Sequence, residues 1–150
     1  MRSLMLSMAF FTLLKLCGGS DEAVTPPIGA AAAGAITVTA QHGGVMVSAD
    51  DAWIELVTKD NGDVEAYVVD ASGQPLSHQV AQVSAVQVQA PDGSPHQVQL
   101  QWDPTSHRYA GHTEVRPVAT APVELQVVVR GQPRRARAPH IVVVAAPPQP

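Results

Sequence analysis

Six histidines stand out as the residues best suited to chemistry: His42, His78, His96, His107, His112 and His140. Neutral imidazoles are ligands for copper and zinc. His42 and Met46 lie four residues apart, which places both on one face if the segment is a strand. A nitrogen and a thioether together suit Cu(I). His107 and His112, five apart, face opposite sides of a strand unless the chain bends between them. His78 and His96 sit in or beside turns. These residues admit two readings. One is a copper or zinc site drawing on His42, Met46, His107 and His112. The other is histidines scattered over a surface, since no pair has the tight spacing of a dedicated zinc site. Met46 is the sole methionine after residue 8, so there is no Met-rich copper motif.

His42 is followed by Gly43 and Gly44. Two glycines permit positive φ and a close approach of backbone. The triplet is either an entry turn into the first strand or a device that holds the imidazole at the rim of a fold. The carboxylates Asp50, Asp51, Glu55, Asp60 and Asp63 read as a solvated face and as turn formers. Ser48, Asp50, Asp51 and His42 could be assembled on paper into a triad, but nothing places a nucleophile on a strained elbow. The expectation is a protein that is not an enzyme.

The lone cysteine, Cys17, directly follows an apolar run over residues 4–14 (LMLSMAFFTLL) with Arg2 ahead of it. That run has the length of a signal h-region and is shorter than the ~20 residues that span a bilayer. A cysteine there resembles the lipidated cysteine of bacterial lipoproteins, with Leu14 at the upstream apolar position, although Leu16 stands where that pattern has a small residue and Lys15 where it has no charge. Residues 1–17 are therefore expected to be a signal sequence with Cys17 as the lipid attachment point. The protein would then be periplasmic or at the cell surface, held to the membrane by its lipid. Cleavage after Gly19 and plain secretion is the alternative. With no other thiol, the domain holds no disulfide and depends on its core.

Charge is divided along the chain. Residues 21–103 contain 11 acids and one base, and residues 104–150 contain two acids and six arginines. Arg130, Arg134, Arg135 and Arg137 crowd together. Either acidic and basic strands complement each other within the fold, or these four arginines form an edge that meets lipid head groups or an acidic partner. An exported, acidic chain with few aromatics makes nucleic acid an unsuitable partner.

The elements that must position these residues are strands. Residues 18–35 mix Gly, Ser, Pro and an alanine run and read as a flexible linker. The domain is expected over residues 36–146, with a Pro-rich tail at 147–150. After a first strand around Met46, β-rich or alternating runs cover residues 52–58, 64–69, 82–90, 97–102, 107–113, 123–129 and 141–145. Asn61-Gly62, Gly73, Asp92-Gly93 and Asp103-Pro104 punctuate them. The alternation slips phase between Val83 and Val86, which predicts a bulge. No amphipathic helix appears. This pattern predicts an all-β fold, an immunoglobulin-like antiparallel β-sandwich of seven to eight strands.

Over residues 40–80 the order His42-Gly43-Gly44, Glu55-Leu56-Val57, Tyr67 with Asp70, and Gly73-Gln74-Pro75 resembles a small β-sandwich module. That module occurs in bacterial heavy-metal efflux adaptor (membrane fusion) proteins and related periplasmic lipoproteins. The resemblance implies a periplasmic role in handling copper, zinc or related ions beside efflux or other envelope proteins, with His42 the first residue to carry over. The coiled hairpin and lipoyl-like domain of a full adaptor have no counterpart in this sequence. The alternative is an envelope interaction module without metal, binding a protein or polysaccharide.

Overall fold

The computed structural model describes residues 37–147. The expected signal sequence, Cys17 and the expected linker lie outside the described residues. Ten strands form in chain order: β1 (Val45–Ala49), β2 (Ala52–Lys59), β3 (Asp63–Val69), β4 (Ala81–Gln89), β5 (Pro95–Gln99), β6 (Gln101–Asp103), β7 (Arg108–His112), β8 (Val123–Val129), β9 (Gln132–Ala138) and β10 (Val143–Val144). No helix occurs among the described residues.

The strands make two sheets. Sheet A has the order β1-β2-β3-β7-β6, with β10 joined in parallel to the far end of β2; sheet B has the order β5-β4-β8-β9. All other pairs are antiparallel. The inward faces meet in one core of Val47, Ile54, Leu56, Val64, Val83, Val86, Val98, Leu125 and Val127 with their neighbours. These β-branched and leucine side chains recur at every second position, so each strand gives one face to the core. Tyr109 of β7 reaches across the sandwich and donates its hydroxyl to the Ala81 carbonyl of β4 at 3.0 Å. The architecture is a β-sandwich, and its sheet order is compatible with the immunoglobulin type.

Three features differ from the sequence pattern. First, the run 97–102 is not one strand. It leaves sheet B after Gln99, crosses at Leu100 and enters sheet A at Gln101. The alternation survives the crossing, with Val98 and Leu100 buried, because both sheets share one core. Gly111 makes the crossing possible: a methyl group there would overlap the Gln99 carbonyl oxygen. Second, β9 is a strand although its sequence is QPRRARA. Its inward positions are only Ala136 and Ala138, too small to give an apolar signal. Third, of residues 141–145 only Val143 and Val144 pair.

Turns follow their residues. The β8–β9 hairpin turns on Arg130 and Gly131, with φ of 49° and 77°, the paired positive values of a type I′ turn. The β2–β3 loop is one residue longer than a minimal Asn-Gly hairpin and uses Asp60, Asn61 and Gly62, with Gly62 at φ 92°. The phase slip in β4 is a bulge between Val83 and Ala85.

Candidate functional site

The outward face of sheet A carries the most elaborate polar arrangement among the described residues. On β2, Ala52, Ile54 and Leu56 point to the core, so Trp53, Glu55, Val57 and Lys59 take the other face. The sequence reading placed Glu55 on a solvated face. The structure corrects this: Glu55 is 3% exposed. Residues 41–44 pass over it and turn their amides inward. Gln41 N–H donates to Glu55 Oε2 at 2.8 Å, and His42 N–H and Gly44 N–H donate to Oε1 at 2.6 and 3.0 Å. His42 Nδ1 completes the set, 2.9 Å from Oε2. Each carboxylate oxygen thus meets two donors. Burial pushes the Glu55 carboxyl up, but the amides of Gly44 and Gln41, the His42 ring and the His42 amide together outweigh it and hold it below the ordinary value.

The two glycines explain how the chain closes on the carboxylate. Gly43 has φ 80°. At Gly44 any side chain would overlap the Leu56 carbonyl oxygen. The His42-Gly43-Gly44 triplet is therefore both a turn and a cradle.

His42 is held a second way. Its ring lies flat on Tyr67, with centroids 3.7 Å apart and planes 4° from parallel. Tyr67 faces Glu55 directly in the β2–β3 register. The Tyr67 hydroxyl donates to Glu65 Oε2 at 2.9 Å. Glu65, also buried, takes Lys59 Nζ and Arg108 on its other oxygen, each at 2.5 Å. Burial raises the Tyr67 phenol, with Arg108 pulling it down and Glu65 pushing it further up.

An ionised carboxylate only accepts, so the proton of a neutral His42 ring sits on Nδ1 and Nε2 carries a free lone pair. The side chain is 43% exposed, and no hydrogen-bond partner of Nε2 is found among the described residues. Met46 stands directly opposite Glu55 in the β1–β2 register, on this same face. His42 and Met46 thus both neighbour Glu55.

The other two histidines proposed as ligands lie elsewhere. His112 Nδ1 is 3.0 Å from Asp63 Oδ1 on the exposed β3–β7 side. His107 occupies a left-handed turn, φ 50°, with its ring against the edge of Trp102. His78 stacks on Trp102, and together with Pro75, Leu76 and Pro104 these rings line a cavity of about 510 Å³. Among the described residues no three His, Cys, Asp or Glu side chains are grouped to hold a metal ion.

The arginines divide. Arg130 pairs with Asp51 and Arg134 with Asp50, on the hairpin between β1 and β2. Arg135 lies 3.3 Å from Glu124. Arg137 makes no ion pair among the described residues. Acidic and basic strands thus complement one another at the β1–β9 corner.

The sequence reading missed Glu55, Glu65, Lys59 and Arg108 as one network. A signal was present at Glu55: its neighbours on the same face, Trp53 and Val57, are apolar, as on a face covered by other chain. Neither the protein-family models nor the curated proteins compared with this chain gave a match.

Proposed function

We propose that this chain is an exported envelope protein, anchored by lipid at Cys17, whose β-sandwich binds and hands over copper or zinc. His42 Nε2 is the nitrogen donor and Met46 the neighbouring thioether. The observation that carries the reading is the Glu55–His42 pair. A metal-binding histidine commonly gives its other ring N–H to a carboxylate, which fixes the tautomer and makes the free nitrogen a better donor. The stack on Tyr67 fixes the ring plane as well. One or two protein donors at an exposed position suit a site that passes its ion on rather than one that stores it. The resemblance of residues 40–80 to modules of heavy-metal efflux adaptors supports the same role, with an efflux or other envelope protein as the receiver.

Titration of Cu(I), Cu(II) and Zn(II) into the purified protein tests this. One site is expected, lost in His42→Ala and weakened in Met46→Leu. Binding that is indifferent to His42 removes the assignment.

A second reading is an envelope interaction module that holds a protein or polysaccharide without metal. It is favoured by Arg137, a cation with no internal partner among the described residues.

A further inference from the structure

The outward face of sheet B contrasts with that of sheet A. Its exposed side chains are largely amides. In the strand register Gln97, Gln87, Glu124 and Arg137 form one row across all four strands, and Gln99, Ala85, Gln126 and Arg135 form the next. Directly opposed residues share a face. Gln87, Gln97, Gln99, Gln126, Arg135 and Arg137 are all exposed. Ala85, between Gln99 and Gln126 in the second row, is buried, so the polar groups of that row are Gln99, Gln126 and Arg135. At the β9 side two depressions each contain an arginine of this face. One of about 220 Å³ includes Gln87, Glu124 and Arg137; one of about 360 Å³ includes Gln126 and Arg135.

We propose that this face binds an acidic polysaccharide, with the glutamines hydrogen-bonding its hydroxyl groups and Arg135 and Arg137 pairing with its carboxylates. This rests on the second reading above, which it deepens by naming the ligand class, and it uses the sheet opposite the metal site.

The charge argument rests on the arginines. The residues after the cysteine are acidic overall, yet this face has two arginines against Glu124 alone, and Arg137, opposite Glu124 in the register, forms no ion pair among the described residues. Guanidinium groups match carboxylates in a planar, two-point geometry. The hydroxyl argument rests on the glutamines. An amide both donates and accepts, as a sugar hydroxyl does. The choice of polysaccharide over protein rests on what the face lacks. Protein interfaces have a core rich in aromatic and apolar side chains, whereas no aromatic side chain stands on these rows. Four strands at ~4.8 Å spacing give about 14 Å of width, enough for several sugar residues to lie across the rows.

The test is binding of the full protein to polygalacturonate, with dextran and poly-glutamate as the uncharged and peptide comparisons. Saturable binding to polygalacturonate is expected, at least about tenfold tighter than to either comparison. Arg135→Glu/Arg137→Glu should abolish it. Gln87→Ala/Gln97→Ala should weaken it about tenfold, the loss of one to two hydrogen bonds. These side chains are exposed, so circular dichroism and thermal midpoint should match the parent. Absence of saturable polygalacturonate binding overturns the proposal. So does equal binding of poly-glutamate with no effect of the glutamine variants, which would leave simple charge attraction. The metal titration of His42 is unaffected by either outcome.

Discussion

Glu55 and His42 are 13 residues apart in the chain, and their side chains meet at 2.9 Å. The contact joins the middle of a buried strand to a loop laid over its outer face. It acts in two directions: the carboxylate closes the loop, and the loop orients the imidazole proposed as the metal donor. Removing the acid should therefore be felt in both.

Glu55→Ala leaves three backbone amides and one imidazole N–H without their acceptor. The expected loss is on the order of 3 kcal/mol in urea unfolding, given the ~1.5–3 kcal/mol range for hydrogen bonds to charged groups. Metal affinity should fall about 10–100-fold, as for other groups that orient a ligand. A variant as stable as the parent would show that the cradle is not closed in solution.

Gly44→Ala should destabilise by about 1–3 kcal/mol, because a methyl group there meets the backbone of Leu56 rather than a movable side chain. Gly93→Ala provides the comparison. It has φ 84° but nothing within 4 Å, so its cost is the left-handed backbone alone, roughly 1–2 kcal/mol. Thermal melts of the two variants separate crowding from backbone strain.

Both tyrosines of the chain should resist ionisation while the protein is folded. Burial raises Tyr109 to about 12 from 10.0 and raises Tyr67 as well. For a phenol held neutral, the contribution to stability is intact below the unfolded value near 10 and is lost as pH rises through about 12. For Tyr109 that change is about 2–3 kcal/mol. Tyrosinate absorbance should rise above pH 10 only together with loss of the β-sheet signal. A normal titration midpoint in the folded protein would contradict the burial of Tyr109.

The ion pairs at the β1–β9 corner should matter little. Arg130 and Asp51 are each more than half exposed, and such pairs contribute ~0.2–1 kcal/mol. Arg130→Ala and Arg134→Ala should each shift unfolding by less than about 1 kcal/mol, with the shift shrinking in added salt. A larger loss would mean that these pairs hold the two sheets together.

The sequence showed most of the strands because one face of each reports directly as alternation. Val123, Leu125, Val127 and Val129 are apolar at every second position, and all four are buried. It hid β9, whose inward residues are alanines, and the sheet change at Leu100, because crossing between sheets that share a core does not alter the pattern. The site was half legible. His42 and its glycines were visible as a local motif. Glu55 was not, since its burial depends on chain that lies 11 to 14 residues earlier and folds back over it. Glu65, Lys59 and Arg108 come together only through strand pairing, which single-strand periodicity does not carry.

The proposed metal site requires that His42 offer Nε2 to the ion while Glu55 holds Nδ1–H. Long-range ¹H–¹⁵N correlation spectra of the imidazoles during titration with Zn(II) test it most directly. His42 Nε2 should shift first, below one equivalent, with its Nδ1 proton retained and the other histidines unchanged. Simultaneous, shallow shifts of His42, His78, His107 and His112 would contradict it and reduce the site to scattered surface histidines.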